Sequence, residues 1–424
     1  MQRDLLVFVD VNGEPILAGY LWARARGNKE SASFEYAQTW LARRDAFALD
    51  PELPLARGQF HTQRPLFNAF TDPAPDRWGQ ALLRRYERAC ATKQGRSPRT
   101  LLAIDFLTRV DDETRLGALR FKDAGGGEFL TTGGKRVPPL VELSRLLAAT
   151  NRIIDEKETD DDILLVLAPG TSLGGARPKA SVRDKVGNLA VAKFPRNDDE
   201  WPVTRWEAVT LALAQASGIE VPHWHLETVA RKPVVLLRRF DRRGSFRIPF
   251  LSALTALGAV DNEPHSYLEI VDALRRDGSH VTRDLCQLWR RVVFNILVSN
   301  TDDHLRNHGF LRDTKGWRLA PAYDLNPIPT DVRPRIHALA IDEMDATASI
   351  ETAFATAPAF GIAKAAEARV IASEVGTMVM RWRQTAAKLG IKPRQIERMA
   401  SAFEHQDLKI ARSASATFAR AKGP

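Results

Sequence analysis

The sequence predicts an α+β protein of two lobes, sheet-rich in its N-terminal part and mainly helical in its C-terminal part. Three observations predict it. β-type runs with period-two alternation recur between residues 5 and 36 and again between 179 and 240. Apolar residues at three- and four-residue spacing dominate beyond residue 250. A stretch rich in glycine and proline, 123–139, separates two blocks of regular patterning. Sheet-rich text followed by helical text is the order of an α+β fold. The expected divisions are 1–122, 139–242 and 243–424.

Residues 5–22 read as a hairpin around Asn12-Gly13, and Phe34 and Tyr36 lie on an alternating stretch that continues the same sheet. Trp78, Leu82, Leu83 and Tyr86 predict a helix over 72–88, with another at 98–110 and a short strand at 116–122. The second block opens with a helix at 140–149. A glycine-rich loop then precedes strands at 179–183 and 188–194, which turn at 184–187. A helix at 205–216 and a β-type run at 233–240 follow. The longest helical segment, 281–300, is apolar at Leu285, Leu288, Trp289, Val292, Val293, Ile296 and Leu297. The tail from Arg369 is helical, with breaks at Gly390 and Pro393.

With 424 residues, 44% of them hydrophobic, the chain can build sizeable cores. No apolar run approaches the roughly 20 residues that cross a bilayer. The opening MQRDLLVFVDVNGEP enters a turn too early for a signal peptide. Two cysteines, Cys90 and Cys286, exclude a disulfide framework or a zinc cluster and fit a reducing cytoplasm. A net charge of +9 permits a nucleic-acid or acidic-protein partner without requiring one.

Four places could carry chemistry. The first is Asn300-Thr301-Asp302-Asp303-His304-Leu305-Arg306-Asn307, a polar loop after the long apolar helix. An acceptor hydroxyl needs a carboxylate to orient it and take its proton, and an amide oxygen can share a magnesium ion. In the protein-kinase catalytic loop the base precedes the magnesium-binding asparagine by five positions. Asp302 and Asn307 have that spacing, whereas Asp303 is one residue short of it. The same text also reads as a helix-ending turn in which Asp302 or Asp303 caps the next element.

The second place is Asp324 in Pro321-Ala322-Tyr323-Asp324-Leu325, after a short hairpin, where kinases hold a second metal ligand. A plain turn aspartate is the competing reading. The third is Gly170-Thr171-Ser172-Leu173-Gly174-Gly175-Ala176-Arg177-Pro178-Lys179, whose glycines allow backbone N–H groups to approach phosphate oxygens. It has neither the Walker ending nor Gly-x-Gly-x-x-Gly. The fourth is Lys193, which shares a strand face with Leu189 and Val191. It reads as an amine reaching a buried phosphate or as an edge-strand lysine that blocks aggregation. Glu207 is its expected partner, although Thr204-x-x-Glu207 equally fits a capping box.

In this order the pieces resemble the HipA family of serine/threonine protein kinases, the toxins of bacterial type II toxin–antitoxin pairs. The matching text is Ser172-Leu173-Gly174-Gly175-Ala176-x-x-Lys179, Val191-Ala192-Lys193-Phe194-Pro195, Arg239-Phe240-Asp241-Arg242, Thr301-Asp302-x-His304-x-x-Asn307 and Tyr323-Asp324. Leu53-Pro54-Leu55, Phe67-Asn68 and Pro75-Asp76-Arg77-Trp78 extend it towards the N-terminus. The resemblance implies a two-lobed protein-kinase-like fold and a catalytic Asp302. It implies Mg²⁺ at Asn307 and Asp324, and ATP held by Ser172, Gly174, Gly175, Ala176, Lys193 and His304. Adenine would lie near a hinge at Arg238 and Phe240, contacted through their backbone groups. Ser172 falls where the family autophosphorylates its glycine-rich loop, and added phosphate would compete for the N–H groups that cradle ATP.

The sequence departs from the family pattern at Arg238, where an acidic residue is usual, and in reading Leu-Gly-Gly-Ala for Ile-Ala-Gly-Ala. The resemblance further implies a protein substrate of the aminoacyl-tRNA synthetase kind and a small helix-turn-helix antitoxin as partner. DNA would be met only through that antitoxin complex, and no membrane is involved. The family-like text over 1–122 implies a one-chain toxin rather than a split one. The rival readings are a small-molecule phosphotransferase of the same architecture and a DNA-associated regulatory module without catalysis. A metal-dependent nuclease built on Asp302, Asp303 and His304 would leave Lys193 and the glycine loop unexplained.

Overall fold

The computed structural model describes residues 2–27, 29–130, 137–167 and 175–420, with side chains up to residue 413. The chain forms two compact units, 1–197 with 228–259, and 198–227 with 260–424. The expected α+β class holds, with sheets concentrated in the first unit and helices in the second.

The first unit begins with β1 (Gln2–Val11) and β2 (Glu14–Arg26), joined at Asn12 and Gly13 with φ 55° and 91°. Positive φ at both central residues is the tight turn whose twist matches paired strands. β3 (Lys29–Tyr36), β4 (Gln59–Thr62) and β5 (Leu119–Asp123) complete an antiparallel sheet in the order β4-β3-β2-β1-β5. Leu5, Val7, Leu21, Phe34 and Phe121 share its buried face, where Phe70 meets Phe34 at 5.5 Å and Phe121 at 6.1 Å.

The helix expected from residue 72 starts later, at Arg77, and runs to Lys93. Pro73 and Pro75 restrict the backbone before it, and the Asp76 side chain caps it by accepting from Gly79 N–H at 2.9 Å. The helix expected over 98–110 shortens to Ala103–Thr108, and the one expected at 140–149 is a 3-10 turn continued by an α-helix, Leu143–Ile154.

A second antiparallel sheet includes Lys179–Arg183, Leu189–Lys193 and Lys232–Arg238, in that order. Leu82 of the helix Arg77–Lys93, Leu146 of Leu143–Ile154 and Val166 of Asp160–Leu167 share a core with Val182, Ala192 and Val234 of these strands. Beside it, Arg239 and Asp241 form an ion pair of zero side-chain exposure. The Asp241 carboxylate also accepts from Gly117 N–H at 2.7 Å and from Arg242 at 2.6 Å, while Arg239 donates to Thr114 O at 2.8 Å. Burial works to raise the Asp241 carboxyl, but the Arg239 and Arg242 guanidinium groups hold it below the usual carboxylate range.

The second unit is built around the helix Val281–Val298, which buries every apolar position that predicted it. Trp382 stacks on Phe403 at 4.6 Å and 6°, with Trp206 alongside both. The expected hairpin is present as Gly309–Arg312 and Trp317–Leu319. Among the described residues no helix is long and apolar enough to cross a membrane.

Asp50 lies buried in the first unit, where its carboxylate accepts from Glu52 N–H at 2.9 Å and Ala69 N–H at 2.8 Å. Burial pushes its carboxyl up to about 6, against the smaller opposing effects of the Ala69 bond and Arg64. A folded value above the unfolded one stabilises at low pH, and that stabilisation is lost as pH rises through about 6. Asp50→Asn should therefore gain on the parent by about 2 kcal/mol between pH 4.5 and 7.5. Urea unfolding of both proteins at the two pH values checks this, and a pH-independent difference contradicts it.

Candidate functional site

The polar loop of the second unit hangs from the end of the helix Val281–Val298. Ser299 terminates that helix in the left-handed conformation, φ 52° and ψ 45°, and its hydroxyl donates to Ala402 O at 2.7 Å. Asn300 N–H returns to Asn295 O at 2.9 Å, so the turn leaves the helix in a fixed direction.

The next two carboxylates diverge. Asp302 points outward, its side chain 64% exposed, with Arg333 Nη1 2.9 Å from Oδ1. Asp303 points inward and is buried. Its Oδ2 takes the Tyr267 hydroxyl at 2.6 Å, Asn295 Nδ2 at 2.8 Å and His308 Nε2 at 2.8 Å. Burial alone would raise the Asp303 carboxyl, but the His308 charge and the bonds from His308 and Tyr267 hold it below its ordinary value. Burial and Asp303 together push the Tyr267 phenol well above its usual value. His337, also buried, is pushed down to about 4 by desolvation and is neutral near pH 7. Neither aspartate caps the following 3-10 turn, Leu305–Asn307, whose N-terminal flank is His304.

Asn307 is buried, and its Nδ2 donates to Asp302 O at 3.1 Å. Its Oδ1 has no hydrogen-bond partner among the described residues. A buried amide oxygen left in this way is costly unless something absent from the chain completes it. Asp324 adopts φ 59°, a left-handed conformation uncommon for a residue with a β-carbon, and its Oδ1 accepts from Asn326 Nδ2 at 3.2 Å. The loop and Asp324 are joined by side-chain amides. Asn295 Oδ1 accepts from Asn300 Nδ2 at 3.1 Å, and Asn300 Oδ1 accepts from Asn326 N–H at 3.3 Å. Asn295, Asn300, Asn326, Tyr267 and His308 thus belong to the site although the motif reading passed over their roles. Their signal was faint: a polar Asn295 among the apolar positions of the long helix.

Among the described residues no group of three or more His, Cys, Asp or Glu side chains could hold a metal ion. Mg²⁺ takes few protein oxygens and fills its shell with water and phosphate oxygens, and Asn307 Oδ1 and the Asp324 carboxylate are oxygens of the class it accepts. His304 is half-buried, with Nδ1 unpartnered among the described residues.

In the first unit Lys193 ends Leu189–Lys193, which pairs on one side with Lys179–Arg183 and on the other with Lys232–Arg238. That is a central strand, so the edge-lysine reading is overturned, and Lys193 is 7% exposed. Ser172 and Gly174 lie outside the described residues. Gly175 has φ 83°, a conformation that favours glycine, and Ala176 follows it. Lys179, buried at 1% exposure, donates to Asp76 at 2.6 Å and to Gly175 O at 3.3 Å. Trp78 Nε1 donates to Lys179 O at 3.2 Å. The Pro-Asp-Arg-Trp text at 75–78 therefore supports the exit of the glycine-rich loop, a link that no local pattern announces.

Arg238 is exposed and bonds Asn188 Oδ1 at 3.1 Å, whereas Phe240 is half-buried against Phe250 at 6.1 Å. Glu207 is buried in the helix Val203–Ala216 of the second unit. The capping-box alternative for it fails, because Pro202 occupies the cap position, Thr204 sits inside the helix and no side chain caps it.

Family models match most of the chain. One described as the HipA-like C-terminal domain covers residues 171–406, and one described as the HipA N-terminal domain covers 9–105. Among solved structures, Shewanella oneidensis MR-1 HipA, from its complex with HipB and operator DNA, matches with a TM-score of 0.68. That match covers 98% of both chains at 17% identity and bears on the fold. Helicobacter pylori proinflammatory kinase CtkA matches 58% of this chain and 95% of its own, at a TM-score of 0.45 and 17% identity. A curated Sinorhizobium fredii protein named "Putative kinase Y4mE" is 27% identical over 146 residues, 32% of this chain and 33% of that relative, so the match spans about a third of the relative's length. With one model covering more than half of the chain and the other most of its first hundred residues, the protein belongs to the HipA family.

Proposed function

We propose that this chain is a protein kinase that transfers the γ-phosphoryl group of ATP to a serine or threonine hydroxyl. The observation that carries the reading is the pairing of an outward Asp302 with a buried, uncompleted Asn307 oxygen on one loop, linked through amides to Asp324. Family membership supports it. Asp302 orients the acceptor hydroxyl and takes its proton as the new O–Pγ bond forms and the bond from Pγ to the β–γ bridging oxygen breaks, releasing ADP. Proton abstraction of this kind is worth roughly 10²–10⁴-fold. Bound Mg²⁺ would neutralise charge on the β- and γ-oxygens, with Asn307 and Asp324 as its protein ligands. Lys193, a buried amine on a central strand, is assigned to the α/β-phosphates, with Glu207 as its partner. His304 and the glycine-rich loop belong to the same nucleotide, and backbone groups of Arg238 and Phe240 to the adenine.

The regulatory and biological parts of the reading follow from the family. Ser172 is the proposed autophosphorylation site, an aminoacyl-tRNA synthetase the proposed class of substrate, and a small DNA-binding antitoxin the proposed partner. The Shewanella protein is seen with such a partner.

Asp302→Asn should reduce autophosphorylation with radiolabelled ATP by about 10²–10⁴-fold and leave the melting temperature unchanged, because Asp302 is exposed. Asn307→Ala and Asp324→Asn should raise the magnesium concentration for half-maximal activity, and Lys193→Ala the KM for ATP. Full self-labelling by Asp302→Asn, on Ser172 by phosphopeptide mapping, would show the base assignment to be wrong.

Asp303→Ala is a different case, since it strands three buried donors. Removing one partner of a buried charge cluster costs about 3–5 kcal/mol, so its urea midpoint should fall together with activity. Because the Asp303 carboxyl is held below its unfolded value, its stabilisation is complete above that value and fades as pH drops below it. The stability gap between parent and variant should therefore narrow on acidification. A gap that widened would contradict the assignment of Asp303 as a buried carboxylate.

A further inference from the structure

Beyond Asp324 the chain bends back to the catalytic loop and brings an arginine to its outward aspartate. Val332 and Arg333 N–H both donate to Pro329 O, at 3.0 and 3.2 Å, and Ile336 N–H donates to Pro334 O at 2.8 Å. Pro329 and Pro334, five positions apart, stiffen this turn. Its base is fixed as well. Arg335 donates to Asp407 at 2.6 Å, Ile296 O at 2.9 Å and Ser299 Oγ at 3.1 Å, and Ala338 N–H donates to Thr301 O at 3.0 Å.

Arg333 is thus presented from a rigid mount, with its own side chain 41% exposed. Other arginines nearby pair with acids outside the proposed machinery: Arg306 with Asp261, Arg335 with Asp407 and Arg398 with Asp331. Among the described residues Arg333's acid is Asp302, the proposed base itself. One N–H of a guanidinium that has five is engaged there, on one carboxylate oxygen. The other oxygen of Asp302 remains for a hydroxyl, and the other donors of Arg333 remain for something else. Val332 and Ile336, 48% and 52% exposed, flank it with apolar surface.

We propose that Arg333 reads the acceptor segment: it steadies Asp302 through Oδ1 and gives its remaining donors to an acidic side chain beside the acceptor serine or threonine. The preferred substrate is then an acidic segment with an apolar neighbour that rests on Val332 and Ile336. The net charge of +9 favours such a partner over a basic one. This rests on the kinase reading above and adds the class of sequence that the site accepts.

The test is an array of synthetic peptides, each with one serine flanked within two positions by Glu, Gln or Lys. The array is incubated with the full-length protein and radiolabelled Mg·ATP, and self-labelling is followed in the same reactions. The parent should prefer Glu over Gln by about five- to tenfold in kcat/KM, the worth of a partly exposed charge-assisted hydrogen bond. Arg333→Gln should flatten that ratio, and Arg333→Glu should invert it towards Lys. The ratio is read because loss of the clamp on Asp302 lowers all rates together. An Arg333→Glu pattern equal to the parent's overturns the proposal. So does a parent that labels itself but shows no acidic preference or labels no peptide, and in each of these cases the kinase reading stands. A folded parent that labels neither itself nor any peptide overturns the kinase reading, and this proposal with it.

Discussion

Asp303 carries its charge where water does not reach, and it does so while three donors from three separate elements aim at one of its oxygens. An ionised carboxylate in such surroundings is tolerated only when its hydrogen bonds are made. Tyr267 opens one helix, Asn295 lies in another, and His308 leads into the hairpin after the loop. Their agreement on a single atom allows the loop one register. Asp302 occupies the turn just before Asp303, and while Asp303 is buried the Asp302 side chain stands exposed. The same anchor fixes the start of the amide path through Asn295, Asn300 and Asn326 to Asp324. Geometry on both sides of the proposed reaction centre is therefore set by one buried acid that touches no substrate.

The first unit applies the same economy of buried charge. Lys179 and Asp76, 103 positions apart, hold the exit of the glycine-rich loop against the start of the helix Arg77–Lys93. Asp76 serves twice, since it also caps that helix. The Arg239–Asp241 pair closes over the backbone of residues 114–117. Arg-Phe-Asp-Arg at 239–242, text that carries the family resemblance and overlaps the expected hinge at 238–240, is thus in its charged members a packing device, and Phe240 is the member left half-buried.

The polar loop at 300–307 was legible because several chemistry-bearing residue types are compressed into eight positions after a helix whose apolar period is unmistakable. The hairpin at Asn12-Gly13 was legible for a similar reason, since a positive-φ turn leaves few choices of residue. What escaped was long-range. Nothing near Asn295 in the sequence says that its amide will meet Asp303 and Asn300, and nothing near Asp76 points to Lys179. The helix expected from Asp72 began late because two prolines and a capping aspartate outweighed apolar spacing. Glu207 showed the opposite hazard: a capping box written in the right letters does not form when a proline occupies the cap position.

The first unit is discontinuous in the chain, and Gly117 N–H waits for the carboxylate of Asp241. During synthesis, a ribosome adding about 5–20 residues per second must deliver more than a hundred further residues before that bond can close. Until then the backbone around Thr114 and Arg115 lacks its partners, and the strand that ends in Lys193 has no neighbour at Lys232–Arg238. A nascent chain arrested within that interval would hold Lys193 on a strand still open along one side, so this sheet is completed only after residues of the second unit have been made.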